Sequence, residues 1–124
     1  ISSAGLGGVQ VKPPLEETWQ AMEELVDQGK VRSIGVSNFS AKKLEKLMEH
    51  ARILPAVNQV EVHPYWRNDS LLEWCRTRGV HVTAYSPLGS PDSAPLFKRS
   101  KAVPVLLEDR VVLEVAEKAV PVLL

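Results

Sequence analysis

A chain of 124 residues is long enough for one modest domain with a core, but about half of what a closed eight-fold β/α barrel of roughly 250 residues needs. Fifteen basic residues balance fifteen acidic ones, so no net field draws the chain to nucleic acid or an anionic membrane, and neither is an expected partner. The 44% hydrophobic and 24% charged residues are ordinary for a soluble globular protein, and no apolar run reaches the roughly 20 residues that span a bilayer.

The opening residues, ISSAGLGG, lack the basic start and apolar core of a secretory signal, and no Met initiates them. The chain therefore reads as beginning inside something longer or after processing. Cys75 is the single cysteine and has no internal partner, which favours a reducing, cytoplasmic location and a buried structural thiol.

Residues 1–14, with three Gly, two Ser and Pro13-Pro14, read as a linker, and residues 15–124 as the folded domain. Leu15, Trp19, Met22, Leu25 and Val26 recur at helical spacing. Glu16, Glu17, Glu23, Glu24 and Asp27 fall mostly on the other face, and Gly29 supplies a stop. VRSIGVS (31–37) reads as a strand. Ser40 then caps a helix, AKKLEKLMEHA, with Leu44, Leu47 and Met48 as its apolar stripe.

A second strand, VNQVEV, covers 57–62. Asn68 or Asp69 caps a helix from Ser70 to Arg78 that buries Leu71, Leu72 and Trp74 and stops at Gly79. A third strand, VHVTAYS, spans 80–86. Residues 87–104, rich in Pro, read as a loop before a last helix over Glu108–Lys118 carrying Val111, Val112, Val115 and Ala116. Strands alternating with helices about every 25 residues imply an α/β fold of right-handed parallel units. KAVPVLL, at 101–107, recurs identically at 118–124. It matches no known repeat class and reads as a junction or a duplication.

Parallel β/α proteins place ligands at the C-terminal ends of their strands. Read in turn, they give Ser37 and Asn38 after the first strand, Gln59 within the second, and Tyr85, Ser86, Leu88, Gly89 and Ser90 at and after the end of the third. This uncharged set of amides, hydroxyls and one aromatic ring suits a planar ligand bearing an amide, together with a phosphate. It offers no spacing for a metal. Taken singly, Ser37-Asn38 is a strand-to-helix turn, Gln59 a bonded core amide and Tyr85 core packing. His63 reads as structural, His50 as a helix-surface position, His81 as a strand position, and Lys98, Arg99 and Lys101 as a solvated loop.

The segments GKVRSIGVSNFS (29–40), PAVNQVEVHPYW (55–66) and GVHVTAYSPLGS (79–90), in this order and at these separations, resemble three successive signatures of the aldo-keto reductases, most closely the plant members. The likeness runs from about Leu15 to Ser90 and more loosely through LLEDRVVLEVAEK. It implies a partial (β/α)8 barrel from an NADP(H)-dependent carbonyl reductase acting on an aldehyde or sugar. In that family's pattern Ser37, Asn38 and Gln59 hold the nicotinamide carboxamide, Tyr85 stacks on the nicotinamide ring, and Ser86, Leu88 and Ser90 contact the pyrophosphate.

The family's catalytic Asp, Tyr, Lys and His belong to an earlier part of the barrel and have no matching positions here. Its Lys-Ser and Arg signature for the 2′-phosphate lies beyond the last helix. The resemblance thus implies a fragment that, alone, neither reduces aldehydes nor binds NADPH tightly. The alternative reading is a truncated, non-catalytic binding or interaction module, self-associating through exposed strand edges.

Overall fold

The computed structural model describes residues 13–90 and 105–119. Most of the expected linker, the loop from residue 91, the Lys98–Lys101 cluster and most of both KAVPVLL copies lie outside the described residues. Three β/α units follow one another: α1 (Leu15–Asp27) and β1 (Gly35–Ser37), α2 (Ala41–Met48) and β2 (Val57–Glu61), then α3 (Asp69–Thr77) and β3 (His81–Tyr85). A 3-10 turn at Leu106–Glu108 precedes α4 (Arg110–Ala119). The strands form one parallel sheet in the order β1-β2-β3, with Ser37 beside Gln59 and Glu61 beside Tyr85. This is the expected α/β architecture, a segment of a (β/α)8 barrel.

Helices α1 and α3 stop by the same device. Gly29 and Gly79 adopt φ of +68° and +71°, which only glycine takes without strain. The left-handed turn lets Lys30 N–H reach Leu25 O at 3.0 Å and Val80 N–H reach Cys75 O at 3.0 Å, satisfying carbonyls the helix ends leave open. In α2, Ser40 Oγ accepts from Lys43 N–H at 3.3 Å, the expected cap. Neither expected cap serves α3 in that way: Asn68 is left-handed and sends its Nδ2 to Glu61 O at 2.8 Å, tying the helix start to the end of β2.

The core has two adjoining parts. Trp19, Ile34 and Leu47 form one, and Leu44, Cys75 and Val80 the other, with Val36 and Phe39 packed against both. Asn58, fully buried in β2, is polar yet satisfied, since it accepts from Phe39 N–H and donates to Phe39 O.

Three expectations need correction. Strand β1 covers 35–37 and not 31–37, because Lys30 and Val31 bond back to the end of α1 and pairing with β2 begins only at Gly35. Glu23 is buried at 5% exposure, whereas Leu25 on the expected apolar face is 38% exposed. The Glu23 carboxylate accepts from the backbone N–H of Arg52 at 2.7 Å and of Ile53 at 2.8 Å, and Trp19 Nε1 donates to Ile53 O at 3.0 Å. One face of α1 is thereby stitched to the segment after α2. In α3, Cys75 and not Leu71, Leu72 or Trp74 is the fully buried side chain; the other three are half-buried.

Helix α4 buries no side chain in the described residues, and Val111 and Val115 of its apolar stripe are 63% and 59% exposed. The outer strands β1 and β3 each have one neighbour among those residues.

Candidate functional site

Six of the seven sequence-selected residues sit at or beyond the C-terminal ends of β1 and β3, and Gln59 lies in the middle of β2. Parallel pairing puts Ser37 and Gln59 side by side. The chain leaves β1 through Asn38, whose positive φ of 58° turns its backbone N–H onto Gln59 O at 2.8 Å. Ser37 Oγ donates to the same carbonyl at 3.0 Å and accepts from Asn38 Nδ2 at 3.2 Å. From β3, on the far side of β2, Tyr85 O–H donates to Asn38 Oδ1 at 2.9 Å. Ser37, Asn38 and Tyr85 thus form one hydrogen-bonded group anchored on the Gln59 backbone. The Gln59 side chain is exposed and makes no hydrogen bond to a described residue.

The remaining residues follow in a tight turn after β3. Gly89 N–H donates to Ser86 O at 2.8 Å and Ser90 Oγ donates to Ser86 Oγ at 2.8 Å. Ser86, Gly89 and Ser90 all have positive φ, at 50°, 83° and 43°. Leu88 stands 55% exposed on the turn. The site therefore has two parts, an amide-and-hydroxyl network over β1 and β2 and a backbone-rich turn after β3, with no ionisable acid or base among the seven except the tyrosine.

His63 lies close by, but its ring is nearly buried. Its Nδ1 accepts from Tyr65 N–H at 3.3 Å and its Nε2 sits 3.5 Å from Glu61 Oε1. Both ring nitrogens are occupied within the chain, which fits a structural histidine. Burial pushes the Cys75 thiol above its usual range, so it stays protonated and unreactive. Among the described residues no group of three or more His, Cys, Asp or Glu is placed to hold a metal ion, and no helix is long and apolar enough to cross a membrane.

Two residues near the site escaped the sequence reading. Tyr65, in the turn after β2, bonds to Asp109, which caps α4 by accepting from Val111 and Val112 N–H. An Asp just ahead of an apolar-periodic run is a standard start signal, and it places the helix start at Arg110 and not Glu108.

The aldo/keto reductase family model matches residues 8–102. The chain belongs to that family. It is 57% identical over 91 residues to aldo-keto reductase family 4 member C11 of Arabidopsis thaliana, covering 68% of this chain and 29% of that protein. It is 50% identical over 103 residues to aldo-keto reductase family 1 member A1 of Rattus norvegicus, covering 83% and 31%. Among solved structures it resembles the aldose reductase of Giardia lamblia, with a TM-score of 0.74 and 40% identity over 87% of this chain and 33% of that one. The aldose reductase of Schistosoma japonicum gives a TM-score of 0.70 at 40% identity, over 86% and 30%. The chain thus spans about 30% of the length of the relatives it matches. Aldo/keto reductases are nicotinamide-cofactor oxidoreductases, and the strand ends described above are where a barrel of this kind binds its ligands.

Proposed function

We propose that this chain is the nicotinamide-holding part of an NADP(H)-dependent carbonyl reductase acting on an aldehyde or sugar. The observation that carries the reading is the convergence of Ser37, Asn38, Gln59 and Tyr85 from three strands onto one uncharged patch. A carboxamide presents one acceptor and two donors, and a set of side-chain amides and a hydroxyl complements both. The chemistry of the donor set therefore fits the group. Gln59 offers a free amide, and Asn38 keeps one N–H donor and one oxygen lone pair beyond its bonds to Ser37 and Tyr85. The Tyr85 ring suits stacking on a flat heterocycle. The turn at Ser86, Leu88 and Ser90 brings backbone N–H groups and hydroxyls toward a pyrophosphate.

When bound, NADP(H) supplies the hydride; the residues of this chain orient it, which is the protein's usual share in cofactor chemistry. Reduction of a carbonyl also needs a proton donor, and none of the seven site residues is placed as one except Tyr85, whose hydroxyl is committed to Asn38. The reading therefore separates the two tasks: this segment holds the nicotinamide, and the acid comes from another part of the barrel. The balanced charge and lone cysteine are in keeping with a cytoplasmic location.

Quenching of the tryptophan fluorescence of the purified protein by NADPH tests the reading. Weak, saturable binding with no aldehyde-dependent loss of NADPH absorbance is expected. An absence of binding contradicts it, and turnover of a simple aldehyde contradicts the division of labour. The second reading, a non-catalytic interaction module, draws on the outer edges of β1 and β3 and the apolar stripe of α4, which nothing covers among the described residues. It predicts concentration-dependent self-association in sedimentation.

A further inference from the structure

The turn Ser86–Ser90 has an unfavourable shape. Three of its five residues adopt positive φ, and two of those three are serines, for which the conformation is strained. Such a turn persists only where its surroundings over-determine it. Among the described residues two hydrogen bonds, Gly89 N–H to Ser86 O and Ser90 O–H to Ser86 Oγ, close it from inside. From outside it is packed by Leu106, which is buried to 3% exposure in an otherwise exposed stretch, and a Cβ on Gly89 would stand 3.0 Å from Leu106 Cδ1. Leu106 can approach this closely because residue 89 has no side chain.

What holds Leu106 there is a chain of contacts beginning in the turn after β2, the strand beside β3. His63 and Trp66 exchange backbone hydrogen bonds, and Tyr65 N–H donates to His63 Nδ1, so the turn after β2 is rigid. That turn presents Tyr65 O–H to Asp109 Oδ2 at 2.5 Å. Asp109 uses its other oxygen to accept from Val111 and Val112 N–H at 3.0 and 3.1 Å. One carboxylate thus fixes the start of α4 with one oxygen and ties it to Tyr65 with the other. Helix α4 buries no side chain of its own, so within the described residues Leu106 and the Tyr65–Asp109 bond are what fasten this segment to the sheet. The bond also sets the direction in which the two groups titrate. Tyr65 and the Val112 N–H hold Asp109 below the usual carboxylate range, and Asp109 pushes Tyr65 above the usual tyrosine range.

We propose that Tyr65 is a positioning residue of the candidate site: its bond to Asp109 clamps Leu106 against Gly89 and keeps the Ser86–Ser90 turn in the shape that receives the ligand's phosphates. Tyr65 touches none of the seven site residues by hydrogen bond, so its effect passes through Asp109 and Leu106. The ligand part of this inference rests on the cofactor reading above, while the clamp itself does not.

Three variants of the whole chain test it. Y65F removes one hydroxyl from a half-exposed side chain, and D109S keeps a capping oxygen, because Ser caps helices as well as Asp, on a side chain too short to reach Tyr65. Both lose the clamp without a packing defect. Amide hydrogen exchange at Gly89 is expected to rise roughly three- to tenfold in each, the range that loss of a single hydrogen bond allows. Exchange at Asn38 N–H, which bonds to Gln59 O across the sheet, stays at its wild-type rate. The double variant is expected to match either single one, because both changes remove the same contact. Wild-type exchange at Gly89 in Y65F, an equal rise at Asn38, or additive effects in the double variant each overturn the clamp. With NADP+ as the probe, Y65F is expected to weaken binding severalfold, and an unchanged Kd overturns the positioning role. If NADP+ fails to bind the wild-type chain, the cofactor reading falls and the ligand part of this inference with it; the exchange comparison then decides the clamp by itself.

Discussion

Tyr85 and Asn38, carried by the two outer strands of the sheet, are joined over the intervening strand by a 2.9 Å hydrogen bond from the tyrosine hydroxyl to the amide oxygen. Asn38 Nδ2 donates one of its two N–H groups to Ser37 Oγ, so each polar atom of the amide has one partner within the chain. The candidate carboxamide site is therefore partly self-complementary: the hydroxyl of Tyr85 takes one lone pair of the acceptor that a ligand amide would use.

A competition experiment follows from this arrangement. Y85F keeps the ring and frees Asn38 Oδ1, so NADP+ is expected to bind it at least as tightly as it binds the wild type. Y85A loses the ring and is expected to bind roughly three- to tenfold more weakly, the range for one aromatic contact. Calorimetric titration of both variants measures the difference.

Glu23 is expected to be a stability residue. E23A leaves the N–H groups of Arg52 and Ile53 without their acceptor beneath α1, and an unsatisfied buried donor costs about 1–3 kcal/mol. E16A, on the same helix but at its rim, is expected to cost less than about 0.5 kcal/mol. Urea unfolding of the two variants separates these values.

Cys75 is fully buried, and its thiol is held above the usual range by desolvation. Alkylation by iodoacetamide is expected to be slow in the native protein and fast once the chain is unfolded in urea. Rapid modification of the folded chain would mean that α3 opens readily away from β3.

The Tyr65–Asp109 contact sets a pH window. The folded-state pKa of Asp109 is depressed, so its contribution is present above the ordinary carboxylate value near 4 and is lost as pH falls through the lower folded value. Tyr65 is raised, so its contribution holds below the ordinary value near 10 and is lost as pH rises through the higher folded value. Exchange protection at Gly89, corrected for intrinsic rates, is expected to be flat between about pH 5 and 9 and to fall outside those limits. Y65F is expected to flatten both losses, because without the Tyr65–Asp109 bond the titration of Asp109 reaches only the α4 cap.

The helices, the parallel order and the strand-end residues were legible because each is encoded locally. Gly29 and Gly79 mark stops that need positive φ, Ser40 caps a helix three residues before its bonded N–H, and alternating units force the residues at successive strand ends to one rim. Glu23 was misread because its charge argues for solvent, and its burial depends on Arg52 and Ile53, 29 and 30 residues away, which supply two backbone N–H donors and, from Arg52, a guanidinium 3.8 Å from its other oxygen. The Tyr65–Asp109 clamp was invisible for the same reason. Nothing in the periodicity of either segment announces a bond across 44 residues. The length of β1 depended on its partner, since a strand runs only as far as it is paired.

The central claim is that Ser37, Asn38, Gln59 and Tyr85 hold a nicotinamide. The most direct test follows the side-chain amide signals of Asn38 and Gln59 by two-dimensional NMR while NADP+ is added. Saturable shifts of both amides, with smaller shifts at the backbone of Ser86–Ser90, are expected, together with their loss in Q59A. Shifts confined to other residues, or none at millimolar NADP+, would contradict the account.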